Sequence, residues 1–344
     1  MLPIIAITMG DPCGIGPEII GKALLHPWVY QECRPLIVGS APVIEDVLKI
    51  IGSSMKIHRV RNVQEACFAP GVVDVLHQDT VDMAQLRRGQ VQAMGGKAAF
   101  MAVQKTIDLA LKKEADATVT APLNKEALHL AGYLYSGHTE IYADLTASKQ
   151  YAMMLVHDQL RVIHVSTHVS LREACQRCKK DRVLETVLLA WQACRSFGIV
   201  APRIAVAGLN PHAGENGLFG REEIEEIIPA IRAAQDKGLN VIGPIPPDTV
   251  FTKAKGGMYD IVVAQYHDQG HIPLKLLGFR FDMEKNSWQS VAGVNITVGL
   301  PIIRTSVDHG TAFDQAGMGT ASEESLLNAI RYAILMAQGS ATSP

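Results

Sequence analysis

The chain has 344 residues, 48% hydrophobic and 19% charged, which is enough to bury a full core and excludes a disordered or collagen-like protein. Thirty-two Lys and Arg stand against 34 Asp and Glu with no basic run of five or more, so neither a nucleic-acid backbone nor an anionic membrane surface is an expected partner. No stretch reaches about 18 uninterrupted apolar residues, and the apolar opening Leu2 to Met9 lacks a basic leader and a small-residue cleavage site, so the expected location is cytoplasmic.

In chain order, PIIAIT (Pro3 to Thr8) reads as a buried strand, followed by the Gly-rich turn MGDPCGIGPE and a helix begun by Pro17 in PEIIGKALL. The same strand, turn and helix pattern recurs. PLIVG leads into APVIEDVLKIIG, DATVTAP into NKEALHLAG, RIAVAGLN into REEIEEIIPAIRAAQDKG, and DIVVAQYHD into QGHIPLKLLG. Apolar strands alternating with amphipathic helices predict an α/β fold with a largely parallel sheet covered on both faces. No Pro/Ser linker divides the chain. Two lobes around a cleft are expected, with residues 1–130 and 300–344 in a discontinuous first lobe and 131–299 in a second lobe holding most metal and substrate residues. The tail Gln338 to Pro344 reads as frayed.

The six cysteines are scattered, which predicts reduced thiols, and Cys175 and Cys178 read as two thiols on one helical face. The histidines carry more. His168 in VIHVSTHVSL, His212 in GLNPHAGENG and His267 in AQYHDQGHIP stand in polar loops directly after apolar strands, where ligands of parallel sheets bind. Three neutral imidazoles suit a divalent ion and leave positions for substrate. His164 reads as core or outer shell, and His271, one helical turn beyond His267, competes for the ligand role.

Anion-binding elements come next. In YSGHTEIYADL, Gly137 precedes a helical segment whose first amides, around His138 and Thr139, would face an anion; a plain N-cap completed by Glu140 is the alternative. Lys275, Asn295 and Arg304 are further substrate candidates, Arg304 for its bidentate grip on phosphate or carboxylate. Asp248 in PIPPDTVF and Asp268 beside His267 could be bases, partners orienting imidazoles, or caps. SVDHGTAFDQAG places His309, Gly310 and Thr311 in a short turn able to face a ligand. The glycines of MGDPCGIGPE match neither the dinucleotide fingerprint nor the P-loop.

Taken together, ITMGDPCGIGPE, TAPLNKEAL, GHTE, STH, GLNPHAGENGLFG, PPDT, YHDQGHIPLKLLGF, GVNIT and GLPIIRTSVDHGTAFD make the chain, from Ile4 to about Ala337, resemble the 4-hydroxythreonine-4-phosphate dehydrogenase (PdxA) family. The wording TAPLNKEALHLAG and HDQGHIPLKLLGF is closer to the 4-phospho-D-threonate 3-dehydrogenase branch. The resemblance implies a three-layer α/β/α fold like that of isocitrate and isopropylmalate dehydrogenases, and a homodimer with active sites at the interface. It also implies dependence on NAD and on a divalent metal, with Zn, Mg, Mn and Co all open. Carried over by residue, it implies metal ligands at His168, His212 and His267, and substrate contacts at His138, Thr139, Lys275, Asn295 and Arg304. Gly310 and Thr311 fall to the cofactor, and Lys275 with Asp268 or Asp248 to proton transfer.

The implied reaction oxidises the 3-hydroxyl of 4-phospho-D-threonate or 4-phospho-D-erythronate to a 3-keto acid, which loses CO2 to give dihydroxyacetone phosphate. The alternatives are 4-hydroxythreonine-4-phosphate dehydrogenase of pyridoxal phosphate synthesis, a zinc hydrolase needing no dinucleotide, and a non-catalytic phosphate-metabolite binding protein. One departure stands out. In the family that the chain resembles, GVNIT follows LKLLGF after a few residues; here Arg280 to Ala292 intervenes, and a loop serving as a lid or dimer contact is expected.

Overall fold

Apolar runs of four to six residues become the strands, and the amphipathic segments between them become helices that cover the sheet faces. The computed structural model describes residues 1–283 and 287–341. In order these are β1 (Ile4–Thr8), α1 (Gly16–Ala23), α2 (Pro27–Glu32), β2 (Arg34–Gly39), α3 (Ala41–Ile50), β3 (Lys56–Val60), β4 (Val72–His77), α4 (Ala93–Leu111), β5 (Ala117–Thr120), α5 (Lys125–Leu130) and α6 (His138–Leu145). Then come β6 (Ala152–His157), β7 (Leu160–His164), α7 (Leu171–Arg177), α8 (Lys180–Ser196), β8 (Ile204–Ala207), α9 (Ile228–Gln235), β9 (Val241–Ile245), α10 (Pro247–Lys255), β10 (Ile261–Ala264) and α11 (His267–Gly278). The last are β11 (Phe279–Asp282), β12 (Ser287–Val291), β13 (Val294–Val298), β14 (Arg304–Val307) and α12 (Glu324–Ala341).

The chain forms two compact units, one of residues 1–148, 287–294 and 300–338, the other of 149–286, 295–299 and 339–344. The first unit reaches 148 where the sequence reading put the boundary at 130. His138 and Thr139 therefore belong to the same unit as Arg304.

In the first unit the strand order is β3-β4-β2-β1-β5-β14, and every neighbouring pair is parallel. Ala6, Leu36, Val38 and Leu76 pack with Ala102 and Leu109 of α4. Their chain neighbours Ile5, Ile7 and Ile37 point to the opposite face and are equally buried. Burial on both faces explains the unbroken apolar runs of these strands.

In the second unit the order is β13-β6-β7-β10-β8-β9. Val262 and Ala264 of β10 pack with Val250 and Ala254 of α10 and Leu274 of α11, while Ile261 and Val263 are buried on the other face. The parallel expectation fails at one place. β6 and β7 form an antiparallel hairpin, closed at Asp158 in a left-handed conformation. A two-residue turn can join antiparallel strands, whereas a parallel pair needs a crossover.

Three other expectations change. Cys178 is not on the helical face with Cys175: it caps the end of α7, buried, with Sγ 3.4 Å from Gln265 Oε1. Helix α12 continues through Ala341 where fraying was expected from Gln338, and residues 342–344 lie outside the described residues. The additional segment contains β11 and β12, which pair in a two-stranded sheet of their own; its centre, 284–286, lies outside the described residues.

Candidate functional site

The second unit gathers imidazoles at the carboxyl ends of its strands. β10 lies between β7 and β8, in parallel with both. The loop after β7, carrying His168, thus comes beside the start of α11, carrying His267. Their ring centroids are 5.7 Å apart. His267 Nδ1 lies 2.6 Å from Asp268 Oδ1, which commits that nitrogen and leaves Nε2 to face away from the carboxylate. One turn later His271 stacks on His267 with ring centroids 3.5 Å apart, its Nδ1 2.8 Å from the His267 carbonyl.

His164, the last residue of β7, is fully enclosed. Its ring lies 4.7 Å from that of His271, and its Nδ1 is 3.2 Å from the Met153 carbonyl. Nε2 has no hydrogen-bond partner. Burial pushes the His164 pKa down to about 4, and burial also dominates for His271, which falls to about 2. Both are held neutral. Gly270 makes the close approach possible, because a Cβ at that position would overlap His164 Nε2 and Val162.

His212 is positioned differently. It begins a run of left-handed residues, His212 to Asn216, on an exposed turn after β8, with its ring 6.3 Å from that of Phe219. Among the described residues, the side-chain nitrogens of His168, His212 and His267 do not form a group within 4.8 Å of one another. Gly214 takes the left-handed conformation freely, whereas each of the four other residues of the run costs about 1–2 kcal/mol there. Buried Glu223 holds it: Oε1 accepts from the Leu209 and Asn210 amides, both at 2.7 Å, and Oε2 accepts from Asn210 Nδ2 at 2.9 Å.

A brace that no sequence motif marks lies beneath these loops. Gln265 Nε2 donates to the Ala207 carbonyl and Gln269 Nε2 to the Gly208 carbonyl, each at 2.8 Å, while the Gln265 amide donates to Gln269 Oε1 at 2.7 Å. Ser166 Oγ donates to the Gln265 carbonyl at 3.0 Å. Two buried amides thereby tie together the ends of β7, β8 and β10. The available signal was a pair of glutamines four apart flanking the histidine motif.

The remaining candidates in this unit are dispersed. Lys275 lies two turns after His267 on α11, its Nζ 5.3 Å from the Phe279 ring centroid. Asn295 is on β13 with an enclosed, unpartnered Oδ1. Asp248 is exposed in the first turn of α10.

The first unit holds the anion-binding candidates. Arg304 opens β14 and pairs in register with Thr118 of β5. Its side chain is among the largest fully buried ones, with Nη2 donating to Thr120 Oγ1 at 2.8 Å and the guanidinium 5.6 Å from the Tyr142 ring centroid. Burial lowers its pKa to about 10, against the opposing influence of Tyr142 and Glu140. His138 begins α6, and burial, followed by the Arg304 charge, holds its pKa well below the usual histidine range. Its Nε2 is enclosed without a hydrogen-bond partner. Gly137 caps α6 without a side-chain hydrogen bond, and Thr139 is buried in the first turn. A buried guanidinium, an imidazole nitrogen without a hydrogen-bond partner and the start of a helix together suit an anion.

Also in this unit, the Gly-rich turn and the turn after β14 pack on each other. The Ile15 amide donates to the Thr311 carbonyl at 3.0 Å, and a Cβ at Gly14 would meet that carbonyl oxygen. Gly310 is exposed with open space where a side chain would be. His309 Nδ1 is 2.9 Å from the Gly310 carbonyl, and its enclosed Nε2 has no hydrogen-bond partner.

Comparison with known proteins agrees with these motifs. A curated D-threonate 4-phosphate dehydrogenase of Salmonella typhimurium is 50% identical over 335 residues, covering 97% of this chain and 98% of that protein. Another of that description, from Cupriavidus necator, is 48% identical over 331 residues, covering 96% of each. A crystal structure described as 4-hydroxythreonine-4-phosphate dehydrogenase from Klebsiella pneumoniae superposes with a TM-score of 0.87 at 47% identity, covering 98% of this chain and 99% of that one. The model of the family described as pyridoxal phosphate biosynthetic protein PdxA matches residues 31–333, and the chain belongs to that family.

Proposed function

We propose that this chain is a dehydrogenase that oxidises the 3-hydroxyl of 4-phospho-D-threonate to a 3-keto acid, which decarboxylates to dihydroxyacetone phosphate. The observation that carries the proposal is the imidazole cluster around His267 in a chain 48–50% identical, nearly end to end, to curated D-threonate 4-phosphate dehydrogenases. The erythronate epimer is the neighbouring substrate. The description of the Klebsiella pneumoniae structure raises a second reading, oxidation of 4-hydroxythreonine 4-phosphate, which the curated relatives do not favour.

The donor set suits a divalent cation of the Zn, Mg, Mn or Co group: His267 presents Nε2 because Asp268 occupies Nδ1, and His168 lies beside it. His212, on its exposed turn, would be the third ligand. A bound cation would supply Lewis acidity at the reacting oxygen, and NAD would accept the hydride. The residues do the rest. His271, stacked on His267 and backed by His164, both neutral, would fix the His267 ring. Arg304, His138 and Thr139 would bind the substrate phosphate, whose binding energy orients the carbon that reacts. Asn295 would present its unsatisfied Oδ1 to a substrate hydroxyl. Lys275 with Asp268 or Asp248 would move the hydroxyl proton and return one to carbon after CO2 leaves. Gly310 and Thr311 would face the dinucleotide. The protein would act as a cytoplasmic homodimer with active sites at the interface; among the described residues no helix is long and apolar enough to cross a membrane.

Initial rates with purified protein, NAD and each of the three phosphorylated acids test this. The expected result is the highest kcat/KM for 4-phospho-D-threonate, with dihydroxyacetone phosphate as product. A preference for 4-hydroxythreonine 4-phosphate would favour the second reading. Absence of NADH formation from all three would overturn both.

A further inference from the structure

Among the described residues, one group outside the imidazole site brings together three kinds of metal-ligand atom: His58, Cys67 and Asp74 in the first unit, whose ligand atoms lie within 4.8 Å of one another. We propose that this cluster is a second cation site, specific for a thiophilic divalent ion of the zinc class.

The sheet builds two of its ligands. β3 is the edge strand and pairs in parallel with β4, with His58 in register opposite Asp74. Partners in register project to the same face, and His58 Nδ1 lies 2.7 Å from Asp74 Oδ1. The connection between these strands brings the third. Asn62 caps a short turn by accepting from the Glu65 amide, and Phe68 then takes a left-handed conformation, its ring 5.5 Å from the Arg34 guanidinium carbon. That bend points two successive amides at the carboxylate, Cys67 N at 3.2 Å from Oδ1 and Phe68 N at 2.7 Å from Oδ2. It leaves Cys67 Sγ 3.5 Å from Oδ1 and 3.8 Å from Oδ2.

The chemistry favours a cation over a plain His–Asp pair. A thiol is a weak hydrogen-bond donor and adds little to such a pair, whereas thiolate, imidazole and carboxylate are together the ligand types that zinc selects. Tetrahedral bonds of the usual length hold ligand atoms about 3.3–3.6 Å apart. The sulfur–oxygen separations are already close to this; the 2.7 Å imidazole–carboxylate contact opens by a small rotation of the half-buried His58 ring. On binding, the thiol gives up its proton to solvent, and the two negative ligands then balance the ion's charge. The two backbone amides on buried Asp74 supply the outer hydrogen bonds that orient a ligating carboxylate. With His58 and Cys67 open to solvent, the fourth position would hold water. The ion would tie the edge strand, its neighbour and their connection together.

Cobalt(II) reads this site separately from the imidazole cluster, which contains no sulfur. Chelator-stripped full-length protein is titrated with Co2+ alone and the thiolate-to-cobalt charge-transfer absorption is followed. The expected result is a saturable band, displaced by Zn2+, lost in Cys67→Ser and weakened in His58→Gln, with one bound ion fewer per chain in Cys67→Ser. Cys67 is exposed, so the serine variant keeps its fold, which far-ultraviolet circular dichroism verifies. A wild-type protein without the band at saturating Co2+, or an undiminished band in Cys67→Ser, would overturn the proposal.

Discussion

Asp268 Oδ1 lies 2.6 Å from Nδ1 of the preceding residue, His267. The start of α11 makes this contact possible, with the imidazole beside that of His168 and the carboxylate closing on Nδ1. A carboxylate here sets the tautomer and raises the basicity of the opposite ring nitrogen, the one proposed to bind the metal.

Replacing Asp268 with Asn keeps the shape and removes the charge. Metal affinity and turnover at limiting metal should each fall about 10- to 100-fold, with partial recovery at high metal concentration. His267→Ala should lose at least about 100-fold in kcat under any metal concentration, with melting behaviour near wild type. Metal titrations monitored by NADH formation distinguish the two; equal rates for Asp268→Asn and wild type at limiting metal would remove Asp268 from its orienting role.

Gly270→Ala tests the packing beneath the cluster. The added methyl must push His164 or Val162 aside, and overpacking of this kind costs about 1–3 kcal/mol. A thermal melt should show a Tm lowered by several degrees. An unchanged Tm would mean that α11 and β7 separate more easily than the close approach of Gly270 to His164 indicates.

Arg304→Lys retains a positive charge but loses the planar fork. For a phosphorylated substrate, kcat/KM should fall about 10- to 100-fold, the worth of one charge-assisted hydrogen bond. The corresponding unphosphorylated acid, a poor substrate throughout, should be affected far less. Equal losses for both would place the effect in folding and not in phosphate binding.

Asp11, in the Gly-rich turn, gives the fold a pH dependence. Its carboxyl is buried, with Oδ2 lacking a hydrogen-bond partner, and burial raises its pKa from 3.8 to about 6. Between these values the folded state holds a proton that the unfolded chain has released. Stability from this group is therefore greatest below about pH 4, falls as pH rises, and levels off above about 6. The difference is about 3 kcal/mol as an order of magnitude. Asp11→Asn, which keeps an acceptor for the Cys13 amide, should match wild type near pH 4 and exceed it at pH 8 in urea titrations. A variant less stable at pH 8 would show that the charged form is satisfied in the fold.

Much of the site could be read along the chain. The run HDQGH shows its histidines and carboxylate directly, and GHTE announces a helix start. Gln265 and Gln269 could not be recognised as a brace, because their partners, the carbonyls of Ala207 and Gly208, lie 58 and 61 positions away. The left-handed turn at His212 was equally hidden. Its residues are ordinary, and buried Glu223, which holds the turn, looks like one acid among several in REEIEE.

By itself the sequence determined the alternation of strand and helix, the covering of both sheet faces and the placement of polar loops after strands, since these follow from the periodicity of near neighbours. Tertiary structure alone decided which strands lie side by side. It set β14 against β5, burying Arg304 beside Thr120, and β10 against β7, bringing His267 to His168. Parallel strands choose partners through the packing of side chains distant in sequence, and local pattern cannot encode that choice.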